Sequence, residues 1–576
     1  MTPNEQWVSD RRRVAVVAMA MLVISGALLW RAVDLNVVRK DFLQQQGDAR
    51  YLRVVTEQAH RGEIMDRNGE PLAISTPVDS IWANPKELIK VPERWAQLAQ
   101  ALSIPLAELK EKLRHNKERE FIWLKRQINP QQAQAVLQLE IPGVDSQREY
   151  HRYYPAGEVT AHLVGVTNID DAGQEGIELV YNDWLKATPG SKRVIKDRLG
   201  RAVEDVEQVS APQPGQDLVL SIDRRIQYLA YRELMSAVEE NQALSGSAVV
   251  LDARTGEVLA MVNQPSYNPN NRSDRDSAHL RNRAMTDVFE PGSTVKPFTI
   301  AAVLEQGKIT PDSLVDTTPG RFRVGRKTIH DERNYGVIDV STIIQKSSNV
   351  GASKMALSIP PQALWQTFTN VGFGFDSGSG FPGEAMGQLT NYSEWNRLER
   401  ATLSFGYGLS VTALQLARAY TVFANDGVLL PVSLIRKVSQ HEPSALQPQR
   451  VMSKTTARAV LHMMERVVEK GGTGTKAQVR GYRVAGKTGT AKVSGPGGYT
   501  EHSYNAVFAG MAPASDPRLV MVVVINQPHG KEYYGGLVAA PVFAHVMSGA
   551  LRLLDVAPDD LPSLSTTRLA YLEDKQ

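Results

Sequence analysis

The 576-residue chain has no cysteine, which excludes disulfides, thiolate metal sites and a cysteine nucleophile. None of its 11 histidines falls at a ligand spacing such as His-x-x-x-His, so no metal is expected. Aromatics are sparse at 7% and the net charge is only +3. There is no basic stripe interleaved with aromatics, so nucleic acid is not an expected partner. Long apolar runs are also missing, with one exception: Val14 to Trp30, interrupted by Ser25. The rest is ordinary globular composition, 42% apolar and 22% charged. The length exceeds one compact core, so two or more domains are expected.

As a helix the single run covers about 26 Å, at the short end for a bilayer core of about 30 Å. Ala32 and Val33, with snorkelling by flanking arginines, extend it. Arg11-Arg12-Arg13 precede it, which places the N-terminus on the cytoplasmic side. A cleaved signal peptide is the competing reading, but its small residues, Ser25-Gly26-Ala27, lie inside the run rather than after it. The expectation is a cytoplasmic tail at 1–13, an uncleaved anchor at 14–34, and everything beyond on the far side of the membrane.

Beyond the anchor, three short elements carry chemistry: Ser293-Thr294-Val295-Lys296, Ser347-Ser348-Asn349 and Lys487-Thr488-Gly489-Thr490. No other serine has a lysine three positions on, and Lys-Thr-Gly occurs once. Alone, each has a bland explanation: an N-cap serine with a solvated lysine, a turn cluster, a threonine-rich strand. Together, in this order, they form the set used by serine acyl-transferring enzymes that react with penicillin. Positions three apart share a helix face, so Ser293 and Lys296 can touch. Pro291-Gly292 suits entry into that helix, where the dipole and free N–H groups favour developing negative charge. Serine needs an adjacent base. A lysine titrates near 10.4 and must fall by about 3 units to serve near pH 7; burial and a second cation, Lys487, can lower it. Ser347 and Asn349, two apart, offer a proton relay and an amide that both donates and accepts. Around Gly489 the strand edge is unobstructed, so an extended peptide can add alongside it, with Lys487, Thr488 and Thr490 placed to hold a carboxylate.

The chain divides by texture. Residues 35–215 are charged and interrupted, with helical stretches from Pro85 to Leu102 and Pro130 to Leu139. A hairpin is expected around Asp66-Arg67-Asn68-Gly69, where Asp66 and Arg67 form either a local surface salt bridge or a contact between modules. Pro212-Gln213-Pro214-Gly215 marks a boundary. Next come an amphipathic helix capped by Asp223, a hairpin about Arg254-Thr255-Gly256, a helical middle, a hairpin about Pro513 to Pro517, and a helix from Pro541 to Leu554. Strands at both ends with helices between give an α+β domain over 216–560, an antiparallel sheet flanked by helices with the nucleophile helix at its edge; 561–576 is a tail.

At this point the sequence closely resembles the class B penicillin-binding proteins, peptidoglycan D,D-transpeptidases, and within them the division-specific penicillin-binding protein 3 type. The resemblance rests on Glu290-Pro-Gly-Ser-Thr-Val-Lys-Pro297, Ser347-Ser-Asn-Val-Gly351, Gly406-Tyr-Gly-Leu409, Val411-Thr-Ala-Leu-Gln-Leu-Ala-Arg418 and Lys487-Thr-Gly-Thr-Ala-Lys492. Upstream it extends to Arg61-Gly-Glu-Ile-Met-Asp-Arg-Asn-Gly69 and Arg152-Tyr-Tyr-Pro-Ala-Gly157. It implies a β-lactamase/transpeptidase-like fold, a pedestal or dimerisation module at 35–215 that docks other division proteins, acylation of Ser293, Lys296 as base, and assistance by Ser347 and Asn349. It further implies carboxylate binding by Lys487, Thr488 and Thr490 and an oxyanion hole from the N–H groups of Ser293 and Thr490. The implied substrates are peptidoglycan stem peptides, with β-lactams as covalent inhibitors and no cofactor. A hydrolytic relative (β-lactamase or sensor) and a scaffold with a vestigial site are the alternatives.

Overall fold

The computed structural model describes residues 3–42, 52–196, 202–271, 273, 277–437, 447–495 and 498–561. Two compact units emerge, one comprising Met1–His60, Pro77–His151 and Ala187–Pro214, the other Arg61–Thr76, Arg152–Lys186 and Gly215–Gln576. Two segments upstream of 215, Arg61–Thr76 and Arg152–Lys186, pack with the second unit.

The first unit begins with a helix, Pro3–Val33, that continues as a π-helical turn, Asp34–Val38. The stretch Arg13–Val38 has mean hydropathy 2.1 and none of it is buried. An exposed apolar helix of this length suits a hydrocarbon surrounding and suggests a single-pass membrane anchor. The strands Leu52–Glu57, Gly190–Lys196 and Ala202–Ser210 form an antiparallel sheet. A separate small core joins Ile81, Leu98, Leu102, Leu109 and Leu124. The expected helix from Pro85 to Leu102 is three pieces, Pro85–Leu88, Pro92–Arg94 and Trp95–Leu102, because Pro92 removes a donor and restarts the chain.

The second unit centres on five antiparallel strands, β1 (Ser245–Asp252), β2 (Val258–Gln264), β3 (Ala485–Gly495), β4 (Gly498–Ala512) and β5 (Leu519–Asn526), ordered β2-β1-β5-β4-β3. β1 is buried along its whole length and β5 at every residue but Asn526, so their apolar runs are near-continuous instead of alternating: helices cover both faces. The helices that matter are α1 (Arg224–Glu240), α2 (Lys296–Leu304), α3 (Val340–Lys346), α4 (Asn349–Leu357), α5 (Ala413–Ala424), α6 (Lys454–Val468) and α7 (Gly535–Leu553). One face packs against α1 and α7 through Ile226, Leu234, Phe508, Val523 and Phe543. The other packs against α5 and α6 through Val249, Val522, Leu416, Tyr420 and Met464. This is the expected α+β arrangement. α7 is also long and apolar, but most of it is buried against the sheet, so a protein core explains it without a membrane. It begins at Gly535, leaving Pro541 inside the helix.

Asp223 caps α1 by accepting from Arg225 N at 3.0 Å. Asp66 is buried and makes no ion pair with Arg67. It accepts from the backbone N–H groups of Asn68 (2.7 Å), Glu70 (2.9 Å) and Arg224 (3.0 Å). Arg67 reaches Glu257 at 3.3 Å. Beneath them Glu178 bridges Arg61 and Arg152 at 2.7 Å each, all three at 3% exposure or less.

Candidate active site

The nucleophile motif folds as a 3₁₀ turn, Gly292–Val295, leading directly into α2. Tyr420 of α5 donates to Thr294 O at 2.7 Å and Gly292 N to Gly406 O at 3.2 Å, which pins the turn from below. Gly406 has φ +88°, and a Cβ there would lie 2.0 Å from Gly292 O. On the opposite side β3 presses against the turn: a Cβ on Gly489 would lie 2.9 Å from both Pro291 O and Thr294 Cγ2. Glycine is therefore required at both contacts, and their closeness sets half-buried Ser293 beside Lys487–Thr490. β3 is the last strand of its sheet, so its outer edge is unpaired within that sheet, as an added peptide strand requires.

Lys296 and Lys487 are both fully buried. Lys296 Nζ donates to Ser347 O (2.5 Å), Ser347 Oγ (3.1 Å) and Asn349 Oδ1 (2.8 Å), and to none of the Ser293 atoms. Lys487 Nζ donates to Ser347 Oγ at 2.9 Å and to Thr488 O at 2.9 Å. Desolvation, and then the charge of Lys487, hold Lys296 well below the usual lysine range, while Asp331 opposes that shift. Desolvation brings Lys487 down to about 7. Two ammonium groups on one hydroxyl repel, so at neutral pH the pair carries fewer than two charges.

Ser347 sits at the C-cap of α3 with φ +59°, in the left-handed region that a serine adopts only at a cost of about 1 kcal/mol. That turn aims both its carbonyl and its hydroxyl at the lysines. Ser348 caps α4, accepting from Gly351 N. Asp331 completes this end: it accepts from Ser348 Oγ (2.6 Å), Asn349 N (2.5 Å) and Val350 N (2.9 Å). A carboxylate at a helix N-terminus is stabilised by the dipole and by free N–H groups. Sequence reading missed Asp331, which lies sixteen residues before Ser347 with no local pattern linking them. It also missed Tyr420 and Thr473; the Thr473 hydroxyl hydrogen-bonds Thr488 Oγ1 at 2.8 Å.

Ser293, Ser347, Asn349, Thr488 and Thr490 line one cleft of about 450 Å³ with Glu332, Tyr335, Lys346 and Tyr534. Lys296 and Lys487 lie beneath it and Gly489 faces the nucleophile turn, so the eight candidate residues from the three motifs gather in one place. Thr490 Oγ1 accepts from Gly535 N at 3.1 Å, tying the start of α7 to the cleft. No group of three or more metal-ligating side chains occurs among the described residues.

A serine on a helix-entry turn, two buried lysines sharing a second serine, and an open strand edge define the serine acyl-transferring class. Residues 246–548 match the model of the penicillin binding protein transpeptidase domain, and residues 56–220 that of the penicillin-binding protein dimerisation domain. The chain is 47% identical to the peptidoglycan D,D-transpeptidase FtsI of Escherichia coli K12, over 95% of this chain and 93% of that one. It is 44% identical to the probable peptidoglycan D,D-transpeptidase PbpC of Pseudomonas aeruginosa, over 95% of each. Among solved structures, the transpeptidase domain of Burkholderia pseudomallei penicillin-binding protein 3 is 44% identical, with TM-score 0.54, covering 59% of this chain and 98% of that one. A peptidoglycan synthetase from Bifidobacterium adolescentis, 26% identical, covers 89% of this chain and 98% of its own, with TM-score 0.70. The chain belongs to the penicillin-binding protein transpeptidase family, as a class B member of the penicillin-binding protein 3 type.

Proposed function

We propose that this protein is the division-specific peptidoglycan D,D-transpeptidase of its cell, working through a Ser293 acyl-enzyme. The observation that carries the reading is the pair of buried lysines hydrogen-bonded to one serine hydroxyl beneath a cleft lined by Ser293. As an ammonium, Lys296 satisfies three acceptors. As a neutral amine it has two N–H donors and a lone pair, so one acceptor is released and the lone pair is free to turn to Ser293.

Ser293 Oγ attacks the carbonyl between the last two D-alanines of a stem peptide, and Lys296 takes its proton. Ser347, within 3.1 Å of Lys296 and 2.9 Å of Lys487, relays a proton to the departing D-alanine amine as the C–N bond breaks. Asn349 holds Lys296 in place and faces the substrate backbone. Lys487, Thr488 and Thr490 hold the terminal carboxylate, Gly489 keeps the edge clear, and the N–H groups of Ser293 and Thr490 receive the oxyanion. An amine from a second stem peptide then attacks the ester, forming the cross-link and returning the proton to Ser293.

Residues 14–34 anchor the chain in the inner membrane with residues 1–13 cytoplasmic and the remainder periplasmic. Residues 35–215 form the pedestal module that meets other division proteins, 216–560 the transpeptidase domain and 561–576 a tail. Intact mass spectrometry after incubation with benzylpenicillin tests the chemistry. A stable adduct mapped to the Ser293 peptide, absent in Ser293→Ala, is expected. An adduct on another residue, or rapid turnover of the penicillin, refutes the assignment.

A further inference from the structure

The cleft is built to hold a carboxylate, yet its second substrate is an amine that arrives as an ammonium. Its walls offer hydroxyls, Lys346, and the two lysines beneath. Among the lining residues a single side chain is acidic, Glu332. It follows Asp331 directly, whose carboxylate is fixed by three hydrogen bonds to the start of α4, so the position of Glu332 is anchored although its side chain is exposed. Among the described residues its carboxylate makes no hydrogen bond or ion pair.

Two tyrosines, Tyr335 and Tyr534, line the same cleft. Burial, and then the Glu332 charge, push the Tyr335 phenol up. Tyr534 is pushed to about 12, first by its hydrogen bond with Tyr533, then by desolvation, with Glu332 among the charges adding to it. The Tyr335 ring already receives a cation, since Arg333 Cζ stands 5.4 Å from its centroid. An unpaired carboxylate that shares a cleft with two phenol rings is suited to an ammonium group.

We propose that Glu332, which lines the cleft with Tyr335 and Tyr534, is the docking carboxylate for the ammonium of the acceptor substrate. The inference rests on the transpeptidase reading and concerns its second half-reaction. The docked ammonium gives one proton to water or to Glu332. The neutral amine forms the C–N bond as the bond from Ser293 Oγ to the acyl carbon breaks, and its second proton passes through Lys296 to Ser293 Oγ. Glu332 acts on the incoming nitrogen at the cleft entrance and does not touch the acyl carbon or Ser293 Oγ.

The test uses the whole chain in detergent, acylated by an N-acyl-glycyl thioester, with the acyl-enzyme partitioned between water and an added nucleophile. D-Alaninamide is mainly an ammonium at pH 7, whereas hydroxylamine is mainly neutral. In Glu332→Gln the ratio of aminolysis to hydrolysis with D-alaninamide should fall about five- to tenfold, the size of one partly screened charge contact. The ratio with hydroxylamine should move much less, and Glu332→Asp should restore the D-alaninamide ratio. Equal loss with both nucleophiles, or no loss with either, overturns the inference. Failure of the wild-type chain to form the acyl-enzyme strikes the transpeptidase reading instead.

Discussion

Replacing Lys487 by methionine removes a charge while keeping the length and burial of the side chain, and it should move the acid limb of acylation towards higher pH. Both lysine Nζ atoms bond Ser347 Oγ, at 3.1 and 2.9 Å, which caps their separation at 6.0 Å. At an effective dielectric near 20, two unit charges that close repel by about 3 kcal/mol, equivalent to about two pKa units. Because Lys487 itself titrates at about 7, it is only partly charged across the range, so a shift of about one to two units is expected. The sign follows from which form is penalised. Lys487 disfavours protonated Lys296, and the base works when neutral, so losing Lys487 raises the Lys296 pKa and delays the onset of activity as pH rises. The assay is the second-order rate of acylation by benzylpenicillin from pH 5 to 9, which reports ionisations of the free enzyme. Weaker carboxylate binding by the variant lowers the whole profile without moving its limb. A limb that stays in place, or moves to lower pH, refutes the claim that Lys487 depresses Lys296.

Asp331→Asn should move the same limb the other way, because Asp331 favours the protonated lysine. It should also slow acylation about tenfold by weakening three charge-assisted bonds at the start of α4. Glu178→Ala leaves two buried guanidinium groups unpaired and should cost about 3–5 kcal/mol in thermal unfolding, whereas replacing Arg61, Arg152 and Glu178 together by methionine should cost less. His162 is buried, its ring donates from Nε2 to the His279 carbonyl at 2.8 Å, and it is held at about 4 by desolvation. Its unfolded pKa is near 6.5, so the unfolded chain gains the proton first as pH falls. That stability is present above 6.5 and is lost between 6.5 and 4, by about 3 kcal/mol. His162→Gln should flatten the fall in melting temperature over that interval.

Much of the site was legible because its three motifs are short and local: each places its residues on one turn, and the order of the three identifies the chemistry. The hairpins about Asn68-Gly69 and Arg254-Thr255-Gly256 were legible for the same reason, since turn residues act within four positions. Tertiary contacts hid the rest. Pro541 reads as a helix start because proline suits the first turn, yet α7 begins six residues earlier, where Gly535 bonds Thr490 Oγ1 and fits against β3 and β4. A Cβ on Gly535 would lie 2.3 Å from Gly489 O and 2.2 Å from Val507 O. Asp331 was invisible because only the folded chain brings it to Ser348. The destination of the Lys296 bonds was likewise not readable: spacing along a helix says which residues share a face but not which acceptor lies across the cleft.

The glycines that wedge the nucleophile turn also limit how this protein can escape an inhibitor. Gly406 and Gly489 meet backbone or packed side chains where any larger residue would have to displace main chain, so the floor under Ser293 is closed to adaptive change. Selection by a drug is channelled outward to the exposed rim, where side chains can vary while the acylation machinery keeps its shape.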